Sequence, residues 1–169
     1  MSRSIPSMDA WLREAKAHES APLCGMYLTH NGTVRQTAKA KVRYGAEDTK
    51  EVTGMLFSYD AEKVSAVIAD AYKLDGIYYI KVWLNEGELA MGDDIMYVLI
   101  GGDIRPRVVD ALHYLVGRIK NECVVETELK PKGMGVWAAK RIQVCMEGED
   151  ADVEAIYHRY FIQFLSTGG

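Results

Sequence analysis

The chain has 169 residues, 49% of them apolar, and sets 20 lysines and arginines against 24 aspartates and glutamates for a formal net charge of -4. That length fills one core and leaves too little for two, so a single domain over residues 1–169 is expected. Mild acidity, scattered basic residues and the lack of a long apolar run exclude a nonspecific nucleic-acid binder and a membrane protein, and with no signal-length apolar stretch behind Arg3 the expected location is the cytoplasm.

Met8, Trp11, Leu12 and Ala15 recur at helical spacing behind Ser7, a residue type that caps helix starts, which predicts a helix over 8–18 within an N-terminal segment 1–20. Pro22 separates it from a strand over 24–34, in which Asn31-Gly32 marks a tight turn or bulge. From Gln36 to Lys50 the chain is polar and basic without apolar period, which predicts a mobile, ligand-closing loop with room for one short strand. Val52 to Tyr59 predicts a strand. Asp60 then caps a helix that buries Val64, Val67, Ile68, Ala71 and Tyr72 and ends at Asp75-Gly76.

Ile77 to Leu84 is a run of β-branched and aromatic residues, hence a central strand; a turn follows from Gly87 to Asp94, then a second such strand from Ile95 to Ile100. Gly101-Gly102 leads into a helix beginning near Arg105, with Val108, Val109, Leu112, Leu115, Val116 and Ile119 as its buried stripe. Pro106 is tolerated in its first turn, where no amide donor is needed. Cys123 to Leu129 alternates like a strand at a sheet edge or a subunit boundary, and Pro131 and Gly133 end it. A further strand is expected over 136–144, and the segment 145–169 holds a last helix near 153–165 and a tail.

Short turns between neighbouring strands favour antiparallel pairing, so the fold class is α+β, a mixed and largely antiparallel sheet with helices packed on it. Cys24, Cys123 and Cys145 are odd in number and lack C-x-x-C spacing, which reads as reduced core or strand residues. His30, His113 and His158 are too dispersed along the chain to suggest a site. No nucleotide-binding loop, hydrolase elbow or metal-ligand spacing is present, so neither metal nor bound cofactor is expected.

Arg105 and Arg107 stand where a helix begins. Free amides and the macrodipole already favour an anion there, and a guanidinium adds a bidentate clamp for phosphate. A purely structural first turn more often carries Asp or Glu, so an anion site is expected, with Arg105 the stronger candidate of the two.

The order Gly87-Glu88-Leu89-Ala90-Met91-Gly92-Asp93-Asp94-Ile95, apolar strand, Ile104-Arg105, helix, Lys120 resembles the large, catalytic subunit of molybdopterin synthase (the MoaE-like family). Its members run G-E-L-x-x-G-D-x-I, apolar strand, His-Arg, long helix, Lys. The resemblance extends upstream to Gly32-Thr33-Val34-Arg35 and downstream to Trp137 and Arg141. It implies an α/β hammerhead fold and a homodimer with a small ubiquitin-like sulfur-carrier subunit at each end. It also implies that Arg35, Arg105 and Arg141 hold an anionic pterin with its cyclic phosphate, Arg141 coming from the second copy. Lys120 would lie beside the thiocarboxylated Gly-Gly terminus of the carrier.

Two positions depart from the pattern. Ile104 stands where the family has histidine and can neither donate a hydrogen bond nor shuttle a proton. Glu126-Thr127-Glu128-Leu129 occupies the segment of the second active-site lysine, with Thr127 at the lysine position; Lys130 or Lys132 can replace it only if the strand end bends. Loss of a general acid or base costs a factor of ~10²–10⁴ in rate. The function that the resemblance implies is sulfur transfer to cyclic pyranopterin monophosphate in molybdenum cofactor biosynthesis. The alternative is a non-catalytic relative that binds a pterin, another anion or a carrier protein as a dimeric scaffold. The terminal Gly168-Gly169 is read as a tail that could occupy the groove of the carrier's own Gly-Gly end.

Overall fold

Residues 4–47 and 50–131, the part of the chain that the computed structural model describes, hold six strands and four α-helices. In order they are α1 (Met8–Ala17), β1 (Met26–Thr33), α2 (Lys39–Tyr44), β2 (Gly54–Tyr59), α3 (Ala61–Ala71), β3 (Ile77–Leu84), β4 (Gly87–Ala90), β5 (Asp94–Gly102), α4 (Arg105–Arg118), a π-helical turn (Ile119–Cys123) and β6 (Val124–Leu129). The strands form two three-stranded sheets, β1-β5-β3 and β4-β2-β6, antiparallel at every pairing. This is the expected α+β class, with the strands divided between two sheets and β6 on an edge among the described residues. The strand expected over 136–144, the helix near 153–165, Trp137, Cys145 and Gly168-Gly169 lie outside the described residues.

β5 is the centre of the first sheet because both of its faces are covered. Met96, Val98 and Ile100 point to one side, where with Ile80 and Leu84 of β3 they join Val64, Val67 and Ala71 of α3 and Val108, Ala111, Leu115 and Ile119 of the last helical segment in one core. Leu99 points to the other side and, with Tyr79, packs against Trp11 and Ala15 of α1. Period-2 alternation in the strand and the 3.6 period in the helices thus meet on both faces. Each large apolar side chain so buried contributes about 1.5–3 kcal/mol. Lys81 closes the α1 side, paired with Glu14 and lying 5.1 Å above the Trp11 ring.

The caps are those the sequence predicts. Ser7 Oγ accepts from the Ala10 amide at 3.2 Å, and Asp60 accepts from the amides of Glu62 and Lys63 at 3.1 Å each. Asn31-Gly32 is a bulge within β1, where the register with β5 shifts between Gly32 and Thr33.

Four local expectations are corrected. Within the segment expected to be a loop, α2 forms from residues with no buried side chain of their own. Contacts at its ends hold it: Ala38 is buried, the Lys39 amide donates to Glu128 Oε1 at 2.7 Å, and the Gly45 amide donates to the Lys41 carbonyl at 3.0 Å. The expected turn from Gly87 to Asp94 begins as β4, paired with β2 from Gly54↔Ala90 to Phe57↔Gly87, because Leu89 is core. Tyr72 lies outside the α3 stripe; its hydroxyl accepts from the Ile80 amide at 2.9 Å and donates to the Ile80 carbonyl at 3.3 Å. In α4 the expected Val108, Leu112, Leu115, Val116 and Ile119 do pack in or against the core, but Ala111 joins them and Val109 stands outside the cluster.

The start of α4 is fixed by close backbone approach. Asp103 donates its amide to the Gly76 carbonyl at 2.9 Å, and Gly25 donates to the Gly102 carbonyl at 2.8 Å. A Cβ at Gly102 would stand 2.5 Å from that same Gly76 oxygen and 2.7 Å from Val108 Cγ2. Within α4, a Cβ at Gly117 meets nothing within 4 Å. Gly102→Ala is therefore expected to destabilise the protein by about 1–3 kcal/mol through overpacking. Gly117→Ala should stabilise it by roughly 0.5–1 kcal/mol, as alanine replaces glycine in a helix. Urea midpoints of the two variants against the parent check both signs.

Candidate functional site

Lys120 lies one residue into the π turn that joins α4 to β6. π turns widen the helix and often accompany functional positions. Its ammonium donates to Glu126 Oε1 at 3.2 Å, and the other oxygen of that carboxylate lies 3.5 Å from Lys39 Nζ. The Glu126 side chain is only 13% exposed. A carboxylate so withdrawn from water requires a partner, and here it has two.

The direction of Glu126 follows from the register of β6. Glu126 pairs with Phe57, a core residue, whereas Thr127 pairs with Leu56, which is 50% exposed. Successive side chains alternate faces, so Glu126 and Glu128 point inward and Thr127 and Val125 outward. The position where the resemblance expects a second lysine thus faces away from Lys120. Carboxylates occupy the inward positions.

His30 completes the neighbourhood. It lies opposite Val98 on the inward face of β1, and its Nε2 is buried without a hydrogen-bond partner among the described residues. Burial, and then the charge of Lys120, hold its proton affinity below the ordinary histidine value of 6.5. Dispersion along the chain hid this residue. The alternation Leu28, His30, Gly32 was the available signal, since it puts a polar ring on the core face of a strand.

The expected arginines are not gathered with Lys120. Arg35, just past β1, is exposed, and its Nε donates to the Thr37 carbonyl at 3.1 Å. Arg107 is paired with Asp103, so its guanidinium is already engaged. Arg105 is exposed at the first position of α4 and has no side-chain partner among the described residues. α4 is 14 residues long, which at about 1.5 Å per residue puts roughly 21 Å between Arg105 and the Lys120 end. Ile104, at the N-cap, is exposed and offers no side-chain cap. Lys130 is exposed just past β6. Lys132 and Arg141 lie outside the described residues.

Among the described residues no group of three or more His, Cys, Asp or Glu could hold a metal ion, and no helix is long and apolar enough to cross a membrane. Cys24 is half-buried and Cys123 buried, both as free thiols. An open groove of about 380 Å³ lined by Ser4, Tyr59, Val64, Val82, Trp83 and Leu84 contains no charged side chain and so is no anion site.

A family model described as MoaE protein matches residues 6–122, more than half of the chain. Among solved structures, molybdopterin synthase from Staphylococcus aureus is 17% identical, with 76% of this chain and 88% of that one covered at a TM-score of 0.59. A molybdopterin biosynthesis MoaE protein from Burkholderia ambifaria is 16% identical over 82% of this chain and 92% of its own, with a TM-score of 0.56. A protein–protein complex of subunits 1 and 2 of molybdopterin-converting factor from Helicobacter pylori is 15% identical over 75% and 82%, with a TM-score of 0.52. At these identities the likeness is one of fold. No curated protein matches the chain.

The geometry at His30 predicts a pH effect of definite sign. Because the folded imidazole binds its proton more weakly than the unfolded one, whose value is 6.5, the unfolded chain takes up more protons in acid. The stability that the neutral ring allows is complete above that value and is lost as pH falls toward the folded one. Lys120→Met removes one of the two causes. The His30 ring is expected to titrate at higher pH in that variant, as followed by NMR, and the acid loss of stability to shrink. Identical titrations in both proteins would show that the Lys120 charge does not act on the ring.

Proposed function

The chain belongs to the MoaE protein family, and from that membership we propose that it acts in molybdenum cofactor biosynthesis as the large subunit of a molybdopterin synthase. Sulfur would pass from a thiocarboxylated small carrier subunit to cyclic pyranopterin monophosphate. The observation that carries this reading is the placement of Lys120, displayed by a π turn and held by an inward carboxylate that Lys39 also neutralises. Glu126 is sheltered while both lysines keep contact with solvent, so a Glu126 stripped of its partners would carry an uncompensated charge at a cost in stability. With Lys39 still beside Glu126, Lys120 can turn toward the anionic end of a carrier without incurring that full cost. Lys120 then stabilises the negative charge that develops at the carrier's acyl group.

Arg35, Arg105 and Arg141 are proposed to hold phosphate and pterin. The length of α4 sets Arg105 and Lys120 of one copy apart, which favours a homodimer in which each copy completes the other's site. Lys130 continues the even-numbered alternation of Glu126 and Glu128 and is the proposed substitute for the second lysine. The two-subunit complex from Helicobacter pylori supports a small-subunit partner.

The second reading, a binding relative without turnover, is favoured by one specific observation. The inward position that meets Lys120 carries a glutamate, Glu126, and the position expected to hold lysine turns outward as Thr127.

Single-turnover conversion of cyclic pyranopterin monophosphate with a thiocarboxylated small subunit separates the two. Product is expected from the parent protein, with Lys120→Ala slower by about 10²–10⁴-fold and Lys130→Ala also impaired. Binding of precursor or carrier without product would establish the second reading instead.

A further inference from the structure

His30 has no role in the sulfur transfer proposed above, yet it is the one described side chain that leaves a buried polar atom unpartnered. A buried donor or acceptor without a partner is costly, and native proteins keep few of them. The ring stands on the inward face of β1, where Gly32 two residues on has no side chain; even a Cβ there would approach Nε2 no closer than 3.8 Å. The β5 residues on that face, Met96, Val98 and Ile100, are uncharged. From the α4 and π-turn side the charge acting on the ring is that of Lys120. Arg118 and Glu122 of the same segment are engaged with each other, and Glu126 and Lys39 stand beyond Lys120.

We propose that His30 is a ligand-binding residue of the Lys120 site, its Nε2 and the Lys120 ammonium together holding the terminal anionic oxygen or sulfur of a carboxylate-type ligand. This rests on the reading of Lys120 as the lysine that meets the carrier's end, and it supplies what Ile104 lacks, a group near the reacting atoms that can donate a hydrogen bond or take up a proton. An anion between the two groups offsets the Lys120 charge and favours the imidazolium, so binding is linked to proton uptake at His30. Affinity therefore rises as pH falls through the ring's value in the complex.

The test is an NMR titration of the His30 ring in the full chain, with an acetylated tetrapeptide ending Gly-Gly in one arm and inorganic phosphate in the other. Isothermal titration of the same probes into His30→Phe and His30→Gln accompanies it. With the peptide, the ring is expected to titrate at higher pH. His30→Phe should bind about tenfold or more weakly, the scale of a lost hydrogen bond to a charged group. His30→Gln, which keeps a side-chain N–H donor, should recover most of the affinity while losing the pH dependence.

A ring that responds to phosphate and not to the peptide would overturn the carboxylate assignment. A ring silent in both arms would overturn the proposal, as would equal affinity in all three proteins. Failure of single turnover with the His30 response retained would remove the sulfur-transfer reading alone. Lys120-dependent turnover with a silent His30 would remove this inference alone.

Discussion

Backbone approach around Asp103 governs where everything downstream can lie. The Gly76 carbonyl accepts from the Asp103 amide, the Gly102 carbonyl accepts from Gly25, and no side chain intervenes at Gly76 or Gly102. The start of β1, the entry to β3 and the end of β5 are thereby brought to one point, and α4 leaves from it. Once that departure is fixed, the stripe of Val108, Ala111, Leu115 and Ile119 has one sheet face to cover. The far end of the helix then delivers Lys120 toward the inward side of β1. A rigid, close-packed junction at one end of α4 thus aims a charged side chain at the other.

Where a segment buries its own side chains, the sequence was easy to read. The alternation of β3 and β5, the caps Ser7 and Asp60, and the α4 stripe all announce themselves because apolar period and terminal hydrogen bonding are local properties. α2 and β4 were illegible for the opposite reason. α2 buries no side chain and is held by Ala38, Glu128 and its own C-terminal turn, and four-residue β4 owes its pairing to a core role for Leu89 that only β2 reveals. The site was legible in part. Lys120 and Arg105 stood out by type and position, but that α4 keeps them apart is a matter of geometry, and His30 gains significance only from what surrounds it.

The described ion pairs divide into two kinds. Lys73 with Asp70 and Lys63 with Asp60 are open to solvent, and pairs of that sort contribute about 0–1 kcal/mol each. Glu126 is different, being sheltered and shared between Lys39 of α2 and Lys120 of the π turn. Through it, a polar helix with no buried side chain is tied to the lysine at the proposed reacting centre, and a change at one lysine alters the field felt by the other.

The π turn has a consequence for chain length. Strand parity in β6, with Glu126 and Glu128 inward and Thr127 outward, is set by how many residues separate Lys120 from the first hydrogen bond to β2. A one-residue slip of a strand exchanges its two faces. A change of one residue within this turn that β6 absorbed by slipping one place along β2 would present Thr127 and Val125 to the lysine and carry both glutamates to solvent. The charge that Lys120 meets is therefore written in an insertion count as much as in any side chain. Because Ile119 and Cys123 of the turn are buried and Val124 packs against the same cluster, a single codon gained or lost here would act on the core as well as on the site.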